Sequence, residues 1–378
     1  MILQGPLEVL FRETLIFITI YCLYVLSLNL EVGYLGLPQF GKVMFLALGA
    51  LAVGGIATKL ALIVYGGAIS AQLRISPLSD LDTYCSTYQY QAVGLINSIF
   101  ASMPLHGVGF FLLSLMLAAL LGGVFGILMA GPALRLREDY LGIFLLVSAE
   151  MIRVIATYTP QVACGVFGAV VPDPFAWMGD ARPWGYLTIT FLFLLVAMFA
   201  LERLANSPFG RALRAIRDAE IAARVFGKDL VRYRVRVLST ASALTGVVGA
   251  LLAFYYNFVS MGQFTPYYTF VAWVMLIIGG LGNNYGALFG VVVYYTVDRI
   301  LSIYKESIRQ VVNIDPIFFQ YIMFGVIIIL VLMFRPQGLV GEKPAKTLKR
   351  RILEKTAQVI GALSRREDFG DIPERPAA

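Results

Sequence analysis

The sequence predicts an all-α fold, a polytopic transmembrane helical bundle of about eight to nine spans with broken or re-entrant segments. Three observations predict it. Of 378 residues, 59% are hydrophobic and 14% are charged, against roughly 25% charged in a soluble domain. The mean hydropathy is +0.78. The uncharged runs are long: 24 residues from Gly107 to Ala130 and 61 from Val237 to Val297. A span takes about 20 apolar residues to cross roughly 30 Å of hydrocarbon. The first run therefore fits one span and the second two or three. In lipid only helices and closed barrels satisfy the backbone, and runs without strict alternation point to helices.

Residues 1–13 are set aside as an N-terminal extension. Gln4-Gly5-Pro6 followed by Leu7-Glu8-Val9-Leu10-Phe11 holds the pieces of a protease tag site in the wrong order, and whether they are native stays open. Candidate spans follow near 14–30, 43–66, 107–130, 140–160, 184–201, 237–258, 268–281, 285–303 and 316–334. The first two are separated by Gly33-Tyr34-Leu35-Gly36-Leu37-Pro38-Gln39-Phe40-Gly41, which suits a bend or re-entrant segment buried in protein. The transmembrane domain is thus 14–341, followed by a charged tail at 342–378. Small residues, Gly122, Gly123 and Gly126 on one span and Gly246 and Gly249 on another, fit close helix packing inside one subunit.

The net charge of +7 alone would suggest nucleic acid, but its distribution excludes that reading. Of 30 Lys and Arg, 2 lie at 131–139, 9 at 202–236 and 10 at 335–378. Each cluster borders a hydrophobic run, the positive-inside pattern of cytoplasmic segments. By alternation 70–106, 161–183 and 259–267 lie outside, while the orientation of the N-terminus stays open. Cys22, Cys85 and Cys164 have no metal-ligand or redox spacing and are expected to be free, small apolar residues.

The most informative segment is Ser207 to Gly227. On a helical wheel Ala212, Ala215, Ile216, Ala219, Ala222, Ala223 and Phe226 share an apolar sector, opposite Arg211, Arg214, Arg217, Asp218, Glu220 and Arg224. Ser207 is the expected N-cap, Pro208 suits the first turn, and Gly227 is the expected stop. This predicts one amphipathic helix or two short ones. Physics alone leaves two roles open: lying on anionic lipid, or docking a soluble partner.

Several segments together resemble the permeases of ABC importers of the branched-chain amino acid type. Ser207 to Tyr233 resembles that family's cytoplasmic loop, with Glu220, Ala222, Ala223 and Gly227 in its coupling-helix motif. Asn29 to Ala50 resembles its glycine-rich second segment, and Pro132 to Leu141, with Glu150 and Arg153 beyond, its middle loop and helix. Gly279-Gly280-Leu281-Gly282 with Gly286 and Gly290 resembles its late glycine motif, and Arg335 to Gly341 its ending. The resemblance covers about residues 29–341. It implies ATPase-coupling roles for Arg214, Arg217, Glu220, Ala222, Ala223 and Gly227. It also implies partners: two ATPase subunits, a second related permease and an external solute-binding protein, all on a cell membrane. The chain departs from the family at Leu37-Pro38-Gln39-Phe40-Gly41-Lys42 and at Thr159 to Cys164-Gly165, which leaves the substrate open among branched-chain or other hydrophobic amino acids and small solutes.

Glu150 and Arg153 lie one helical turn apart inside a hydrophobic run. A mutual ion pair explains them, as does a place on the path or interface. Gln39, Glu150, Arg153 and Gly282 are accordingly the candidate path or interface residues. Gly280-Leu281-Gly282-Asn283-Asn284-Tyr285 lacks the third glycine of a dinucleotide loop, and there is no Walker A sequence. His106 is the sole histidine, so no histidine metal cluster or Ser-His triad forms. No cofactor is expected on this chain, and ATP hydrolysis is expected on separate subunits. The rival expectation, an ATP-independent secondary transporter or channel, calls for inverted halves with matching intramembrane charges, and no clear halves symmetry is evident.

Overall fold

The computed structural model describes residues 6–67, 83–304, 316–335 and 337–342; the polar stretch around Arg74, Asp80 and Asp82 and the tail beyond Glu342 lie outside them. Fourteen helices are described. They are α1 (Pro6–Asn29), α2 (Lys42–Leu51), α3 (Thr58–Val64), α4 (Gln89–Ser102), α5 (Pro104–Arg135), α6 (Glu138–Tyr158), α7 (Pro160–Ala163), α8 (Arg182–Ala205), α9 (Pro208–Asp218), α10 (Glu220–Val225), α11 (Leu230–Tyr256), α12 (Tyr267–Gly279), α13 (Asn284–Ile303) and α14 (Pro316–Phe334). Wide π-helical turns extend α1 through Leu30–Tyr34 and join α2 to α3 through Ala52–Ala57. Among the described residues seven stretches are long and apolar enough to span a membrane, and Tyr267–Gly279 and Tyr321–Phe334 are shorter apolar helices.

Local sequence sets the boundaries. Proline opens α5, α7, α8 and α9, where the missing N–H costs no helix bond. Asp229 and Asn283 cap α11 and α13, accepting from Arg232 N at 3.2 Å and Tyr285 N at 3.0 Å. Asn257 ends α11 in the left-handed region, at φ 51°. One expectation changes here. Residues 6–13, set aside as an extension, continue α1 without a break, and Arg12 is buried.

Helices α1, α2 and α11 form the centre, and α6, α8 and α13 show much of their surface outward. The small residues act as expected. A side chain at Gly246 would meet the Ala118 carbonyl of α5, and one at Gly49 would meet the Gly246 carbonyl. Close backbone approach replaces the hydrophobic drive that lipid removes. Ser27 and Thr245 hydrogen-bond across α1 and α11 at 2.9 Å.

The two ends of the bundle differ. One end, the disulfide end, gathers α4, the 160–182 segment and the turn after α11. Two short strands, Ala169–Val170 and Phe258–Val259, pair antiparallel there. Arg182 pairs with Asp173 and donates to Asn257 Oδ1 at 2.9 Å. Burial pushes the Asp173 carboxyl up despite the opposing pull of Arg182. Cys85 and Cys164 form a disulfide across 79 residues, with Cα atoms 5.3 Å apart. This corrects the expectation of three free cysteines; only Cys22 is free and buried. Spacing gave no hint because the bond joins two distant segments. Their shared expected placement outside, where thiols oxidise, was the usable signal.

Replacing Cys85 and Cys164 together by serine is expected to lower the unfolding temperature in detergent, on the order of 5 °C. A reductant should lower the wild-type value similarly and leave the double variant unchanged; equal sensitivity of both proteins contradicts a stabilising bond.

Candidate functional site

At the opposite, basic end, segments far apart in sequence converge. The chain leaves α1 through its π-helical turn, runs non-helical from 35 to 41, and re-enters as α2. Glu31 and Lys42 flank this break and are fully buried, with Lys42 Nζ 2.7 Å from Glu31 Oε2. Lys42 also approaches the Ala241 carbonyl of α11 at 3.5 Å. Removing one partner of such a pair typically costs about 3–5 kcal/mol, because it leaves a buried charge alone. Sequence reasoning missed this pair, although Glu31 and Lys42 are the only charged residues between 14 and 58.

The break is bound tightly to its neighbours. Trp273 of α12 donates to the Gln39 carbonyl at 3.0 Å, and Phe40 stacks on Trp273 with ring centroids 4.9 Å apart. Val43 N donates to Thr269 Oγ1 at 3.0 Å, and Gly41 N to Gln39 Oε1 at 3.2 Å. Gln39, expected to face a path, is turned inward beside Glu31 and is buried.

The basic loop forms two short helices, α9 and α10, broken at Ala219. Ser207 caps α9, accepting from Gly210 N at 3.3 Å, and Gly227 ends the pair at φ 74°. Both agree with expectation, but the direction of several side chains does not. Arg217, expected to face a partner, points into its own chain. It donates to the Gly33 carbonyl in the break and to Glu342 Oε2 at 2.8 Å, and pairs with Asp218 at 2.9 Å. A side chain at Gly36 would lie 2.7 Å from Arg217 Cγ, and one at Gly282 would lie 3.1 Å from its guanidinium. Glycines from two separate motifs thus form the slot that admits Arg217. Burial alone would lower its pKa; the Glu342 and Asp218 carboxylates outweigh this and raise it. Arg214 also turns inward, to Glu342 Oε1 at 3.1 Å and over the Tyr34 ring at 5.2 Å.

Glu342, assigned to the tail, therefore belongs to the bundle. The preceding non-helical segment packs on the end of α12: Leu339 N donates to the Ile278 carbonyl at 2.9 Å and Val340 N to the Gly279 carbonyl at 3.0 Å. Gly282, expected on a path or interface, lies in this junction and donates its N–H to Asn29 Oδ1 at 3.0 Å. Asn29 continues to Asn284 at 3.1 Å, and Asn284 to Glu202 at 3.1 Å.

Glu220 bridges Arg224 at 3.1 Å and Arg234 at 2.9 Å, and Arg234 reaches the Ala133 carbonyl at the end of α5. Ala223 is buried against the chain itself, as are Ala212, Leu213 and Ile216. Ala222 is exposed, and around it Ile221, Val225 and Phe226 are 82%, 79% and 83% exposed. The wheel located an apolar sector but not which part of it the bundle covers. Glu150 and Arg153 do pair, with Arg153 Nε 2.9 Å from Glu150 Oε2; their side chains remain 38% and 25% exposed.

A bundle of long apolar helices, broken between α1 and α2 and tied at that break to an amphipathic helix pair, fits a polytopic membrane permease. The family described as "Branched-chain amino acid transport system / permease component" matches residues 10–332. A probable branched-chain amino acid transport permease protein LivM of Methanocaldococcus jannaschii is 36% identical over 346 residues, covering 90% of this chain and 96% of its own length. The high-affinity branched-chain amino acid transport system permease proteins LivM of Salmonella typhimurium and Escherichia coli are each 27% identical over 259 residues, 62% of this chain and 58% of theirs. No solved structure matches. The chain belongs to the family of branched-chain amino acid transport permeases, and is a multi-pass membrane transport subunit.

Leucine at either Glu150 or Arg153 leaves its partner poorly solvated, at an expected cost of about 2–3 kcal/mol. The double replacement should be milder than either single one, read by thermal unfolding in detergent. Additive losses contradict the mutual pair.

Proposed function

We propose that this chain is the membrane permease of an ATP-driven importer that carries branched-chain or other hydrophobic amino acids by alternating access. The observation that carries the reading is the two-sided helix pair α9–α10. Its outer side presents Ile221, Val225 and Phe226 to solvent, and its inner side inserts Arg217 into the broken span. Exposed large apolar side chains of this kind suit a protein cleft. An ATPase docked on α10 would displace α9, and Arg217 would pass that motion to Gly33 and the break. Coupling requires the ATPase, in its nucleotide-closed form, to prefer one permease conformation over the other.

The clustered arginines support a cytoplasmic location for α9–α10 and the C-terminal tail. With α12 and α14 counted as crossings beside the seven longer spans, the start of α1 and the disulfide end lie outside, where a solute-binding protein would deliver substrate. A second related permease and two ATPase subunits complete the proposed assembly, with ATP hydrolysis on the ATPase subunits and no cofactor on this chain. Arg214, Arg217 and Glu220 act in transmission, Ala222 lies in the docking surface, and Ala223 and Gly227 shape it. The names of the relatives support the amino acid substrate. An ATP-independent transporter or channel would leave the apolar tip of α10 without a purpose.

Ile221→Asp combined with Phe226→Asp should reduce co-purification of the cognate ATPase about tenfold or more. Arg217→Ala should keep the ATPase bound yet lower amino acid uptake per ATP hydrolysed about tenfold, measured in proteoliposomes. Wild-type ATPase binding by the double aspartate variant would overturn the docking assignment.

A further inference from the structure

The outer side of the broken segment is open. From 36 to 40 the chain is non-helical, and burial alternates: Leu37 and Gln39 turn inward, while Gly36, Pro38 and Phe40 are partly exposed. Pro38 and Phe40 line a cleft of about 430 Å³ together with Gly142, Ile143 and Leu146 of α6, Phe270 of α12, and Asp139 in the first turn of α6. That volume lies in the roughly 300–1,000 Å³ range of small-molecule sites. The walls are aliphatic and aromatic, with one carboxylate. The Phe40 ring is held in place on one side by Trp273 and on the other by Gly142, where a side chain would lie 2.8 Å from the ring.

Two observations distinguish this surface from one that faces lipid. Away from the charged residues at its end, the exposed side of α5 is uncharged, with Leu112, Met116, Leu120, Val124 and Leu128, and between Arg182 and Glu202 so is that of α8. Helix α6, in contrast, carries the partly exposed Glu150–Arg153 pair on the same helical face as the cleft residues, about two turns further along and inside its apolar run. Charges at such depth call for protein or water beside them rather than hydrocarbon. A Glu and an Arg one turn apart also suit a related helix across a two-fold axis, because each can pair with the opposite residue of the other. The second observation is mechanical. The cleft wall at Pro38 and Phe40 belongs to the segment that Arg217 grips at Gly33 and Gly36.

We propose that this cleft receives the aliphatic side chain of the transported amino acid as it passes between α6 and a second permease subunit. Pro38, Ile143 and Leu146 supply dry contact for a branched side chain, Phe40 and Phe270 supply ring faces, and the Asp139 carboxylate suits the substrate ammonium group. Movement of Arg217 alters the cleft by shifting the segment that carries Pro38 and Phe40. The inference rests on the transport reading above.

The test is uptake of leucine and alanine by the reconstituted complex of permeases, ATPases and binding protein, with the binding protein unchanged throughout. Ile143→Trp fills the cleft and should lower kcat/KM for leucine roughly tenfold more than for alanine. Ile143→Ala and Phe270→Ala enlarge it and should shift preference toward phenylalanine. Leu192→Trp, on the outer face of α8, should change neither ratio. If wild-type leucine uptake is robust and the cleft variants keep the leucine-to-alanine ratio within about twofold, the cleft is not the subsite; equal loss of both substrates also counts against it. A wild-type complex that carries no amino acid overturns the transport reading itself, and this proposal with it.

Discussion

A helix interrupted at membrane depth leaves backbone and charged groups with no water to receive them, and much of this structure answers that constraint. The break between α1 and α2 is closed by Glu31 and Lys42 from its two flanks. Its backbone groups are taken up by Gln39, Thr269 and Trp273. Those partners fix where α12 must lie, because Thr269 and Trp273 are one turn apart on it. The ending of the chain then packs along α12 and places Glu342 beside the arginines of α9.

Much of the fold was legible because apolar length and charge placement are local properties. The span positions and the Gly33–Gly41 break follow from composition. The caps at Ser207 and Gly227 follow from residue chemistry alone. Pairings between distant segments were not legible. Glu31 and Lys42 stood out as isolated charges, yet only the fold brings them together. Cys85 and Cys164 lie 79 residues apart, and spacing rules operate only over short distances. The wheel separated polar from apolar faces on α9 but could not say which face the bundle covers. Arg214 and Arg217 therefore turned inward against expectation, Ala223 proved buried, and Leu213, outside the assigned sector, proved fully buried.

The same convergence explains why the glycine motifs are scattered. Gly33 offers its carbonyl to Arg217, and Gly36 and Gly282 leave the room the arginine fills. Each motif is unremarkable by itself; together they form one receptacle. Its contents, a planar fork with several donors, can hold a backbone carbonyl and a carboxylate at once, which a lysine cannot do with the same geometry. Asn29, Gly282, Asn284 and Glu202 extend the connection to α8 and α13 through hydrogen bonds of 3.0 to 3.1 Å. A displacement of α9 is therefore felt by three spans at once rather than by one.

The two ends of the bundle are fastened by different kinds of bond. At one end a disulfide joins the loops beside a pair of short strands and the Arg182–Asp173 ion pair, and the covalent bond opens only by chemical reduction. At the other, Arg214, Arg217 and Glu342 are held by ion pairs and hydrogen bonds, which can exchange partners within the native state. A bundle stapled at one end and laced at the other has a built-in pivot. Were α9 to be displaced, the covalent staple would be the point that yields least, so the displacement would be largest far from the disulfide.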